Sequence, residues 1–194
     1  YLFGQGSTAD VLFRNYLKKH ALHHIKPDYS YSTNAELSHA FSQQKISLSV
    51  ISEPMVSILM AQHANIRILQ KIEPEEIQSK LNKSSFAQTS FLVNTNLTKH
   101  YSTLIRAVSE QYKESCNFTY QQPEKTAALL VKHGFYQDTA VAMQSIPRCN
   151  IRFSYAADIK ETVMNYLRIF YTFEPESTGG KMPADDFIYR LPSE

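Results

Sequence analysis

Leu2-Phe3-Gly4-Gln5-Gly6-Ser7-Thr8-Ala9-Asp10-Val11-Leu12-Phe13-Arg14-Asn15-Tyr16-Leu17 reads as the end of a strand, a tight turn and the start of a helix. Gly4 and Gly6 allow the backbone to turn sharply and to approach a neighbour closely, and Ser7 or Thr8 is placed to cap the helix that follows. Asp10 then falls in the first turn. Ala9, Leu12, Phe13, Tyr16 and Leu17 recur at helical spacing, so one face of this helix is apolar and lies against a core. Its N-terminal N–H groups and dipole are suited to an oxyanion or another small acceptor-rich group. Capping of its own helix is the alternative use of either hydroxyl.

Outward from that stretch, the first half of the chain alternates between extended and helical signals. Residues 28–32 read as a strand, and Thr33-Asn34-Ala35-Glu36 matches a capping box ahead of a helix that turns Leu37, Ala40 and Phe41 inward. Ile46-Ser47-Leu48-Ser49-Val50-Ile51 is a strand-like run that meets Ser52-Glu53-Pro54, with Met55, Ile58 and Leu59 as the buried face of the next helix. A strand at 66–69, a helix at 74–81 and a strand at 89–93 complete the pattern. The expected fold class is therefore α/β, with a mostly parallel sheet and any ligand at the carboxyl ends of the strands.

After Asn96 the periodicity is helical. Tyr101, Leu104, Ile105, Val108 and Tyr112 line one helix, a second runs from Pro123 to Gly134, and Ile159, Val163, Leu167 and Phe170 line a third. Each stripe needs a surface to cover it, and no sheet of matching size follows in the sequence.

Composition removes several functional classes. Lys and Arg number 20 against 18 acidic residues, a net charge of +2 without a basic stripe, which argues against a nucleic-acid partner. No apolar run is long enough to span a membrane. Cys116 and Cys149 are too few for a disulfide scaffold and lack metal spacing, and a disulfide between them stays open. His20, His23 and His24 have a spacing that suits a metal, but polar residues at a helix end need no such role. No nucleophile elbow, zinc-protease helix or phosphate loop is present, so no catalytic residue, metal or cofactor is expected.

Together these segments resemble the substrate-binding proteins of bacterial ABC importers for nitrate, sulfonates, taurine and thiamine-pyrimidine precursors, the NMT1/THI5-like family with the periplasmic-binding-protein type 2 fold. The resemblance rests on Gly4-Gln5-Gly6-Ser7-Thr8 with Asp10, Leu12 and Phe13, on the strand ending at Glu53-Pro54, and on Phe86-Ala87-Gln88-Thr89-Ser90-Phe91 as a crossing between lobes. Pro123-Glu124-Lys125-Thr126-Ala127-Ala128, Ile146-Pro147-Arg148 and Gly179-Gly180-Lys181-Met182-Pro183 extend it. It implies a complete α/β lobe over 1–85, and over 86–194 a crossing segment with the mainly helical C-terminal part of another lobe. It also implies roughly a hundred further residues ahead of Gly4 in a two-lobed protein. Ser47 stands where the family often has Asp.

The resemblance implies a non-enzymatic solute-binding protein that closes over a small polar or anionic ligand and presents it to a membrane permease. It would be periplasmic or on the cell surface, lipid-anchored in its full length. Gln5, Gly6, Ser7, Thr8, Glu53, Gln88 and Thr89 are the candidate ligand contacts. Glu53 has two readings, acceptance from a ligand amine or fixation of a loop N–H, and Gln88 and Thr89 either face the cleft or are solvated. Arg148 either meets an anion or anchors a loop. The alternatives are a pyrimidine-precursor synthase of the THI5-like branch, which uses a histidine and iron and whose cysteine-rich motif is not seen here, and the effector-sensing domain of a regulator, which would require a DNA-binding segment.

Overall fold

The computed structural model describes residues 1–72 and 87–192, and for Asp185 the backbone alone. The chain forms helices α1 (Thr8–Lys19), α2 (Asn34–Ser42), α3 (Met55–Gln62), α4 (Thr95–His100), α5 (Ser102–Gln121), α6 (Pro123–Lys132), α7 (Thr139–Cys149) and α8 (Lys160–Phe173). Local chemistry explains where several of them start. The Ser7 Oγ accepts from the Asp10 N–H at 3.3 Å and caps α1. Thr33 Oγ1 accepts from the Glu36 N–H at 3.1 Å while the Glu36 carboxylate accepts from the Ser32 N–H at 2.9 Å, so the capping box forms one residue wider than its usual reciprocal pair. Pro123 occupies the first position of α6, and Asp138 caps α7 by accepting from the N–H groups of Ala140 and Val141.

The chain divides into two compact units, Tyr1–Gln88 with Lys160–Phe187, and Thr89–Ile159 with Ile188–Glu194. In the first unit α1 packs on α8 through Val11, Leu12, Tyr166 and Ile169, flanked by Ile72, Phe170 and Phe173. A second cluster joins Leu37, Ala40 and Ile46 to Phe3, Tyr31, Phe41 and Ile51. In the second unit α6 packs on α7, and Ala127, Ala142 and Ile146 are buried.

The α/β lobe expected over 1–85 is corrected here, because no sheet is present among the described residues. Their only strand pairing is one isolated parallel bridge, Phe3 with Tyr31. Extended segments do come together: the Leu2 N–H donates to the Asp28 carbonyl at 2.9 Å, the Tyr1 ammonium to Leu48 O at 3.1 Å, and the Val50 N–H to Tyr1 O at 3.0 Å. Single bonds of this kind are not a ladder, which needs evenly repeated pairs along both neighbours. Residues 66–69 pair with no other extended segment among the described residues. Runs of β-branched residues set an extended backbone; pairing has to come from elsewhere. The expected helix at 74–81 lies outside the described residues.

Two apolar faces also shift. In α8 the buried stripe is Thr162, Tyr166 and Ile169, one step around from Val163 and Leu167, because that side meets α1. In α1, Leu12 and Leu17 are buried as the spacing predicts, and Val11 joins them fully enclosed.

Candidate functional site

The turn at the start of α1 is held by a carboxylate. Gly4 and Gly6 both adopt positive φ, 61° and 78°, which brings the Gly6 N–H to 2.8 Å from Asp10 Oδ2. Asp10 is 0% exposed. Its other oxygen accepts from the Tyr29 hydroxyl at 2.6 Å, and Arg14, one helical turn along, reaches Oδ2 at 2.9 Å. Arg14 also donates to the Phe173 carbonyl at 3.3 Å, pairs with the Glu174 carboxylate, and lies over the Phe173 ring at 5.4 Å. Four stretches of the first unit, the glycine turn, α1, the 28–31 segment and the end of α8, thus meet at one buried charge. Burial together with the bond to Asp10 pushes the Tyr29 hydroxyl far above the usual tyrosine range, so it stays a donor.

The sequence-predicted contacts fall around this centre in different ways. Ser7 is the cap, and its hydroxyl donates to the Phe3 carbonyl at 3.3 Å as well as accepting from Asp10. The Gly6 N–H is taken by Asp10, and Gln5 is exposed. Thr8 lies beside Tyr166, whose hydroxyl is pushed up by burial, an effect the Thr8 side chain opposes. The backbone N–H groups of Thr8 and Ala9 make no hydrogen bond to another described residue, so two first-turn donors of α1 stay open. Glu53 Oε2 accepts from the Ser57 N–H at 3.1 Å in the first turn of α3, a bond to a helix N–H rather than a loop one. Gln88 and Thr89 are exposed, at the end of the first unit and the start of the second.

Asp10, Arg14, Tyr29 and Glu174 are the residues that sequence reasoning missed as a group. Asp10 and Arg14 are an i, i+4 pair legible on a helix, whereas Glu174 lies 160 residues beyond Arg14 and no local signal links them. Both cysteines are free thiols, with Cys116 buried. Among the described residues no three His, Cys, Asp or Glu side chains gather in a way that would hold a metal, and no helix is long and apolar enough to cross a membrane.

Neither a family model nor a curated protein matches the chain. Among solved structures, it is similar to an ABC transporter from Parabacteroides distasonis, with a TM-score of 0.82 and 28% sequence identity. The match covers 98% of this chain and 66% of that one, so the chain spans about two thirds of its neighbour. The chain therefore shares the fold of that ABC transporter over the matched part.

Proposed function

We propose that the chain is part of the solute-binding component of an ABC importer, a protein that captures a small polar or anionic ligand and hands it unaltered to a membrane permease. The observation that carries this reading is the likeness, over 98% of the chain at 28% identity, to an ABC transporter. The resemblance to the NMT1/THI5-like group supports the finer assignment and the ligand classes, nitrate, sulfonates, taurine or pyrimidine precursors, in a protein at the cell surface or in the periplasm. The open N–H groups of Thr8 and Ala9 are the donors we assign to the ligand, with the α1 dipole behind them. Asp10 and Glu174 each carry a negative charge beside this turn and Arg14 one positive charge, so recognition of an anion relies on backbone donors rather than on a free cation.

Calorimetry and thermal shift with nitrate, taurine, an alkanesulfonate and a hydroxymethylpyrimidine test the proposal. One class should bind and, at a hundred times its dissociation constant, add about 2.7 kcal/mol of stability. Mass spectrometry of the recovered ligand should find it unchanged. Turnover of the ligand, or no binding by any of the four, contradicts the reading.

A further inference from the structure

α7 ends at Asn150, whose left-handed backbone, φ 49°, stops the helix and turns the chain. Asparagine takes up this conformation more readily than most side chains because its short amide can bond locally. The next three residues, Ile151, Arg152 and Phe153, then run past the C-terminal half of α5 and border a groove of about 330 Å³ together with Cys116, Asn117 and Tyr120 of that helix. All six belong to the second unit. One wall is fixed by its neighbours. Phe153 meets Tyr112 edge to face at 6.1 Å between ring centroids and Tyr155 at 4.9 Å, and the Tyr155 hydroxyl donates to the Glu110 carboxylate. Cys116, 5% exposed, is the most buried of the lining residues, and burial pushes its thiol up, so the sulfur stays neutral.

The fold leaves the polar groups of this lining unused. The side chains of Asn117, Tyr120 and Arg152 make no hydrogen bond or ion pair with another described residue, and no carboxylate borders the groove. A single guanidinium beside an amide and a phenol presents a planar fork of donors, the geometry that pairs bidentately with a carboxylate. Ile151, Phe153 and the Tyr120 ring offer apolar area that an inorganic anion would leave in contact with water, whereas a flat ring covers it. The volume is near the lower end of the range of about 300–1,000 Å³ for small-molecule pockets, which fits one ring with its acid group. We propose that this groove is a binding site for a small aromatic carboxylate, held by its acid group on Arg152 and Asn117 and by its ring against Tyr120, Ile151 and Phe153. The site uses neither the α1 turn nor the solute-binding reading of the first unit.

Titration of the ¹⁵N-labelled chain with benzoate, followed by amide chemical shifts, tests this, with benzamide as the neutral isostere and acetate as the acid without a ring. Benzoate at millimolar concentration should shift the amides of 116–120 and 151–153, and benzamide and acetate should each bind at least about tenfold more weakly, the factor expected for a lost charge-assisted bond. Arg152 is exposed, so Arg152→Gln should leave the amides of α1 in place while weakening benzoate about tenfold and leaving benzamide unchanged. Arg152→Lys keeps the charge without the fork and should weaken benzoate less than Arg152→Gln does. No shift at millimolar benzoate overturns the proposal. So does an Arg152→Gln variant with the parent's affinity, acetate binding as tightly as benzoate, or benzoate shifting only the amides of Thr8 and Ala9, which would put the anion at the α1 turn instead.

Discussion

The α1 turn in the first unit and the α5 face in the second end in opposite conditions. Around α1 the charged and hydroxyl groups find partners within the chain: Asp10 is fully enclosed and still serves the Gly6 N–H, the Tyr29 hydroxyl and Arg14. Along α5 the stripe Tyr101, Leu104, Val108 and Tyr112 is 40 to 55% exposed, and the aromatic contacts that do form are with extended segments whose backbone bonds to no other described residue. An amphipathic helix specifies that it has a face to bury; what buries it is decided by other parts of the chain. α1 has α8 for that purpose, whereas α5 packs on α6 and α7 and buries only Cys116 and Thr119, toward the C-terminal end of this same face.

The contrast breaks most directly at Asp10. Asp10→Ala removes the acceptor shared by Gly6, Tyr29 and Arg14, leaving Arg14 with Glu174 alone, and breaking a buried ion pair from one side costs about 3–5 kcal/mol. Urea unfolding should show a midpoint lowered accordingly with an unchanged slope. A loss below about 1 kcal/mol would mean that the network is incidental and that the packing of Val11 and Leu12 holds α1 unaided.

Ser7 sharpens the comparison at smaller scale. Ser7→Ala deletes the α1 cap and should cost about 0.5–2 kcal/mol. Thr8→Ala loses a hydroxyl that only contacts Tyr166 and should cost less, read as a smaller fall in Tm. If the Thr8 and Ala9 N–H groups hold the ligand, both variants keep much of their affinity, since neither substitution touches the backbone donors. A Thr8→Ala variant more destabilised than Ser7→Ala would reverse the assignment of the cap.

What the sequence makes legible follows the range of the interaction. The Ser7 cap, the Thr33 and Glu36 box and Pro123 act within four residues, and the helices they begin are where the pattern puts them. α7 is hidden because Pro147 inside its last turns reads as a break, although a proline late in a helix loses a single backbone bond and Asp138 has already secured the start. The absent sheet fails for the opposite reason: Ile46 to Ile51 carries every local mark of a strand, but a ladder is a property of two segments at once, and among the described residues this run is tied to Tyr1 by two backbone bonds, at Leu48 O and the Val50 N–H, without a repeated ladder. The Asp10 centre was half visible, since the first-turn acid and its Arg14 neighbour stand in the sequence while Tyr29 and Glu174 arrive through the fold.

The smallest expected effect lies on α5. Leu104 is 55% exposed, so Leu104→Asp removes little buried area, and a polar residue on a solvated helix face usually changes stability by no more than about 0.5 kcal/mol. In the 194-residue chain its urea midpoint should match the parent's within error, and the variant should be less prone to self-association because an apolar patch has lost its centre. Leu37, fully enclosed in the first unit, is the matched control: Leu37→Ala should cost about 2–5 kcal/mol. A Leu104→Asp loss approaching that of Leu37→Ala would show that the α5 face is already buried in solution, and the distinction drawn between the two regions would fail at its weaker end.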